Sequence, residues 1–208
     1  KLFFSPLCGK ILGAVTDESV ISVPVFSRYV KENVGARTAS RYFNSGVLVM
    51  DLEGFRRERI EERFTELLLS YNFKTVAPDQ DYLNFLCRGK VKYLPAGWNK
   101  HAIVGRDIPK NELHLVHFNM FNKPWKYSGV PYEEHFWRFA DMTPSAQTLR
   151  AGKSAYTDEA KARDYEAAGR LLESAKSILE NEAPICEPGE CQGQFAQSLG
   201  IALVGVTG

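Results

Sequence analysis

No charge of either sign dominates this chain of 208 residues: 26 lysines and arginines stand against 25 aspartates and glutamates, for a formal net charge of +1. Holding a polyanion takes cations that outnumber local anions, so nucleic acid is excluded as a partner and any basic site must be local. Long apolar runs are missing too. The longest, Leu199 to Val206, is broken by small residues and falls far short of the ~20 residues that span a bilayer. Cysteine is sparse: Cys8, Cys87, Cys186 and Cys191 do not form the framework of a disulfide-stapled secreted domain, and a reducing, cytoplasmic setting is expected. Cys186-x4-Cys191 has no second Cys or His pair near it to complete a zinc site, and Pro188-Gly189 explains the spacing as a turn. With no starting Met and no basic-then-apolar leader, the chain reads as a piece of a longer polypeptide. What is present, 44% apolar and 25% charged residues, is the balance of a globular domain and rules out disorder and collagen-like repeats.

Aromatic residues divide the chain. All but three of the Phe, Tyr and Trp precede residue 146, whereas most alanines follow it, which places a boundary near Met142 to Ser145. The expected organisation is a domain over residues 1–145, a helical extension over 146–184 and a Gly-rich tail over 185–208. Upstream, short apolar runs alternate with amphipathic stretches, the pattern of an α/β domain with a mixed, mostly parallel sheet. Strands are predicted at Ile11 to Val15, Gly46 to Met50, Val91 to Leu94 and Leu113 to Phe118. One helix is predicted from about Leu52 to Ser70, with Phe55, Ile60, Phe64, Leu67 and Leu68 on one face. A second opens at Asp79-Gln80-Asp81 after Pro78 and ends at Gly89, and a third covers about Tyr132 to Ala140. Thr157 to Glu182 reads as one long helix with a narrow, Ala-rich apolar face, lying on the domain or pairing with another helix, and stopped by Pro184.

The densest constellation is Leu113 to Trp125, an apolar strand running into a loop that holds a His, amides, a Lys and a Trp. Strand ends are where α/β sheets place ligands. His114 and His117, three apart, leave opposite faces of an extended strand and cannot share one metal. His117 is nearer the loop and is the better ligand candidate, set against the plainer reading of a hydrogen-bonded structural imidazole. Lys123, ahead of Pro124-Trp125, suits an anionic phosphate beside a flat ring, or is a solvated loop lysine. Trp125 is expected to face ligand; Phe136, Trp137 and Phe139, at helical spacing, are expected to pack. Asp79 and Asp81 suit sugar hydroxyls, or serve the helix as N-cap and first-turn acid. Tyr42-Phe43-Asn44-Ser45-Gly46 is a polar turn feeding a strand, its glycine allowing close approach by backbone or ligand. Asp17 is one more acid at a strand's C-terminal end.

In their order along the chain these blocks resemble glycosyltransferase family 8, the retaining transferases that include glycogenin-like and bacterial lipopolysaccharide or capsule enzymes. The matching residues are Gly13-Ala14-Val15-x-Asp17, Tyr42 through Leu52, Asp79-Gln80-Asp81-x-Leu83-Asn84 and His117-x5-Lys123-Pro124-Trp125, supported by Leu94-Pro95-x-x-Trp98-Asn99 and Tyr132-Glu133-Glu134-x-Phe136-Trp137. The resemblance implies a GT-A fold, here lacking its first strands and carrying a C-terminal helical extension. It also implies a UDP-hexose donor, a divalent ion, usually manganese, and a glycan or lipid-linked acceptor, as in cell-surface polysaccharide or lipopolysaccharide synthesis at the cytoplasmic side, peripheral association with the inner membrane face being left open. His117 would be a metal ligand, Lys123 would hold the donor diphosphate, and Asn44, Ser45 and Asp17 would contact the donor sugar. Asp79, Gln80 and Asp81 would lie nearest the reacting carbon, with Gln80 beneath it.

Two departures accompany the match. The family's Asp-x-Asp, which supplies the other metal ligands, precedes the segment matching Lys1, and Asp79-Gln80-Asp81 is not that motif; a non-catalytic sugar-binding or interaction domain is therefore the second reading. Where the family usually has glycine three residues after the ligand His, this chain has Met120. The chemistry is intelligible without the family: breaking a sugar–phosphate bond leaves charge on a diphosphate, which a divalent ion and a lysine can neutralise.

Overall fold

The structure is a computed structural model and describes residues 2–186. Strands β1 (Leu12–Thr16), β2 (Phe43–Met50) and β3 (Val91–Tyr93) form one sheet in the order β2-β1-β3. The central strand reads Leu-Gly-Ala-Val because it is covered on both faces, and it is buried along nearly its whole length. It pairs antiparallel with β2, Leu12 opposite Met50, and parallel with β3, Leu12 beside Val91. Between Ala14 and Thr16 the register shifts, a bulge that re-aims the chain just before Asp17. A second, two-stranded parallel sheet joins β4 (Lys100–His101) to β5 (Val116–His117) and sets His101 beside His117. The strand expected over Leu113 to Phe118 contracts to β5 because the His114 and Leu115 amides both donate to the Gly97 carbonyl instead.

Helices α1 (Glu18–Ser22) and α2 (Pro24–Glu32) link β1 to β2; five residues are too few to show a helical period in sequence, and α1 forms because Asp17 caps its Ser19 and Val20 amides. The single helix expected from Leu52 is two, α3 (Leu52–Arg57) and α4 (Ile60–Tyr71), broken where Arg59 takes a left-handed conformation at φ 52°. Glu58 at the break pairs with Lys90 at 2.6 Å, and beyond it Ile60 and Leu67 turn into the core. Helix α5 (Pro78–Leu86) starts two residues earlier than expected, with Ala77 as N-cap and Pro78 at the first position. After α6 (Glu133–Ala140) and α7 (Ala146–Ser154) comes α8 (Asp158–Asn181), capped by Thr157, which packs its small face on α2 and buries Ala175 and Ile178.

The core gathers Leu12, Ala14, Val30, Phe43, Tyr82 and Ile178 between the sheet and helices α2, α4, α5 and α8. Phe139, expected to pack, is 65% exposed. Cys186 is disulfide-bonded, where the scattered cysteines led to an expectation of reduced thiols. Cys191, and with it most of the tail over 185–208, lies outside the described residues. No helix among the described residues is long and apolar enough to cross a membrane.

Candidate active site

The ends of β1 and β2 and the first turn of α5 meet in a network of amides and carboxylates. Asp17 leaves the β1 bulge and is 4% exposed. Its Oδ1 caps α1, and its Oδ2 accepts from Asn44 Nδ2 and from Gln80 Nε2, each at 3.0 Å. Burial alone would raise this carboxyl; hydrogen bonds from Ser19 and Asn44, with His101 nearby, bring it below its ordinary value. Gln80 Oε1 in turn accepts from the Ser45 amide at 2.9 Å and from Asn44 Nδ2 at 3.1 Å. Ser45 Oγ donates to Asp79 at 2.8 Å. Three of the expected donor-side residues, Asp17, Asn44 and Ser45, and the reacting-carbon pair Asp79 and Gln80 are thus tied together, although more than 60 positions separate the ends of the set, Asp17 and Gln80.

His117 arrives from β5 over this floor. Its Nδ1 lies 2.9 Å from Asn99 Oδ1, and its ring rests on Gly46, where a Cβ would come within 2.8 Å of Nδ1 and closer still to Cε1. The close approach that the glycine permits is therefore made by an imidazole. Burial, with His101 and Lys123 beside it, holds His117 below the ordinary histidine value, so the ring is neutral at physiological pH. His101, fully buried, meets it edge-on at 5.4 Å, and neither of its ring nitrogens has a hydrogen bond among the described residues. Lys123 donates to the Phe118 carbonyl across the loop. Asp17, Asn44, Ser45, Asp79, Gln80, His117 and Lys123 all line one cavity of about 510 Å³. A scattered arrangement, which a purely structural domain would allow, is not what the fold produces.

Two expectations fail. Asp81 is not in the cavity: it points the opposite way along α5, is fully buried, and accepts from Tyr42 OH at 2.6 Å, Tyr29 OH at 2.8 Å and the Ala77 amide at 2.9 Å. Trp125 does not face the cavity either; its ring stacks on Phe136 at 5.0 Å, inside the aromatic cluster expected to pack without it. His114 also turns away, against Trp98 at 4.3 Å. Sequence reasoning attached no role to Asn99 or His101. Asn99 was visible only as part of the Trp98-Asn99 pair, and no local signal marks His101.

Residues 1–129 match the family model described as glycosyl transferase family 8. The chain belongs to glycosyltransferase family 8. Among curated relatives, a lipopolysaccharide 1,2-glucosyltransferase of Escherichia coli K12 is 27% identical over 177 residues, covering 75% of this chain and 51% of that protein. A Haemophilus influenzae protein named as a glycosyltransferase is 32% identical over 111 residues, covering 50% of this chain and 33% of its own length. The chain therefore spans about half, or less, of the relatives it matches. Among solved structures, the bifunctional glycosyltransferase WbbM superposes with a TM-score of 0.61 at 18% identity, covering 74% of this chain and 32% of that one. The galactosyltransferase LgtC, solved with donor and acceptor sugar analogues, superposes with a TM-score of 0.54 at 23% identity, covering 73% and 59%. Both likenesses show the fold, which is that of the GT-A glycosyltransferases.

In this family member the α8 region lies beyond the matched residues. At the position where the family usually has glycine, Met120 lines the cavity with φ 49°, so the backbone keeps the left-handed shape that glycine adopts freely and a methionine holds at a cost of roughly 1–2 kcal/mol. Among the described residues no three His, Cys, Asp or Glu side chains are grouped to hold a metal. What the chain does offer is one imidazole nitrogen: His117 Nε2 has no hydrogen bond among the described residues. The donor set fits a divalent ion to the extent of one ligand. Gly46→Ala should push the His117 ring off β2 while circular dichroism shows the fold retained; unchanged His117 imidazole NMR shifts would show that the ring's seat is unimportant.

Proposed function

We propose that the complete protein is a metal-dependent retaining hexosyltransferase that moves a glucosyl or galactosyl group from a UDP-sugar to a glycan or lipid-linked acceptor, in the assembly of a cell-surface polysaccharide such as lipopolysaccharide, at the cytoplasmic side of the membrane. The observation that carries this reading is the convergence of Asp17, Asn44, Ser45, Asp79, Gln80, His117 and Lys123 on one cavity. The relative named as a lipopolysaccharide 1,2-glucosyltransferase supports the choice of acceptor class.

Each side chain has a part. Asn44 and Ser45 present amide and hydroxyl groups to the donor sugar. Asp17 acts on that sugar through Asn44 and Gln80: with both carboxylate oxygens occupied, it holds these two amides in place. Gln80 and Asp79 lie nearest the reacting carbon. Lys123 neutralises the departing diphosphate. His117 Nε2 would hold the divalent ion, manganese or another that accepts mixed imidazole and oxygen ligation, and further ligands would come from an Asp-x-Asp beyond this chain and from the diphosphate. When bound, such an ion polarises the phosphoryl oxygens and stabilises the leaving charge.

The test is a titration of Mn²⁺ and UDP-hexose into the full-length protein and its His117→Ala variant. Manganese affinity should fall about tenfold or more, with turnover lost alongside it. Equal affinity and turnover in the two proteins would remove His117 from the metal site, and a wild type that binds the donor without turnover would favour a non-catalytic sugar-binding protein.

A further inference from the structure

Asn99 is 1% exposed and sits between two side chains of the cavity without lining it. The atoms around it leave one assignment of its amide. Asp17 Oδ2, a carboxylate oxygen, can only accept, so the Asn44 atom 3.0 Å from it is the nitrogen. The other end of Asn44 receives the Gly46 backbone amide at 2.9 Å, which only an oxygen can do, so the orientation of Asn44 is settled twice. Asn44 Oδ1 also faces Asn99 at 2.9 Å, so Asn99 must turn its nitrogen there. That leaves Asn99 Oδ1 toward His117 Nδ1, at 2.9 Å. Flipping either amide would set like against like in a buried place, where an unmade hydrogen bond is costly.

An amide oxygen cannot donate, so the hydrogen in this last contact belongs to His117 Nδ1. A neutral imidazole carries one N–H. Nε2 is then a bare lone pair, the form a metal needs, and it is held there before any ion arrives. We infer that Asn99 is a positioning residue that, through a relay from Asp17 and Asn44, fixes the ring orientation and the Nδ1–H tautomer of His117. The tautomer follows from the hydrogen bonds alone; its use in holding a divalent ion rests on the proposed function. Nothing local in the sequence marks this role, because Asn99 is 55 positions from Asn44 and 18 from His117.

The full-length protein, labelled with ¹⁵N-histidine and free of metal, would be examined by long-range ¹H–¹⁵N NMR at a pH where its imidazoles are neutral, with His117 assigned by the signal lost in His117→Gln. The expected result is an Nδ1–H tautomer at His117; an Nε2–H tautomer overturns the inference. Asn99→Ala should let His117 drift toward the Nε2–H form that free histidine favours and should lower Mn²⁺ affinity about 10–100-fold. The wild-type tautomer is read without any substitution at Asn99, so the inference stays open to refutation even if the alanine variant fails to fold. An unchanged tautomer in a folded Asn99→Ala protein would show that Asn99 does not position the ring. A wild type with Nδ1–H that binds no Mn²⁺ would support the relay and count against the manganese-dependent part of the proposed function, so the two fail separately.

Discussion

Replacing Lys123 by alanine in the full-length enzyme should lower turnover about 10²–10³-fold at saturating donor, the usual loss when one preorganised group is taken from a developing charge. The ammonium group lies in the same cavity as His117 and rests on the Phe118 carbonyl, above the Trp125 ring at 5.6 Å from its centre. Trp125, held against Phe136, thus lies beside the lysine's ammonium group without lining the cavity. Burial and the charge of Lys126 lower the Lys123 pKa from its ordinary value, so the site already bears part of the cost of desolvating this cation before substrate binds. Lys123→Arg keeps the charge but replaces a compact ammonium by a longer planar fork, and should recover only part of the activity. Steady-state kinetics separate the roles: a rise in donor KM with kcat unchanged would mean that Lys123 binds the ground state and does not favour the leaving group.

The second large effect falls on stability. Asp81→Ala should destabilise the protein by about 3 kcal/mol, because it strands two tyrosine hydroxyls and the Ala77 amide in the core without their shared acceptor. Burial raises the Asp81 carboxyl from 3.8 to about 6, the hydrogen bonds from Tyr42, Ala77 and Tyr29 offsetting part of the rise. A folded-state value above the unfolded one makes protonation stabilising. The contribution is complete below about 3.8 and is lost as pH rises through about 6, roughly 3 kcal/mol in all at 1.36 kcal/mol per unit. Urea unfolding between pH 4 and 7 checks this: Asp81→Asn, with no charge to bury, should show a flatter dependence of stability on pH than the wild type. Equal slopes would mean that Asp81 titrates normally, and a loss of donor binding in a stable Asp81→Asn protein would return this residue to the active site.

Asp79 and Asp81 show how far local pattern reaches. Both were candidates for the reacting centre, yet residues two apart on a helix point about 200° away from each other, so only one could face the cavity. Which one depends on where β2 lies, since Ser45 and Gln80 bind each other only when that side of α5 meets the strand. Trp125 carried a similar ambiguity, resolved by Phe136, a partner supplied by α6. The break at Arg59 was invisible because the apolar period runs on through it, whereas the register of the long α8 was legible from its capping Thr157 to its end.

Taken alone, the order of residues determined the family blocks, the α/β alternation, the helix faces and the glycine at position 46, because each depends on neighbours within a turn or a strand. Only the tertiary structure decided that Asp81 and Trp125 turn to the interior, that Asp17 is bound by Asn44 and Gln80, and that Asn99 stands behind His117. Those outcomes depend on which donor meets which acceptor across tens of residues, and a buried hydrogen bond has no partner until the chain has closed around it.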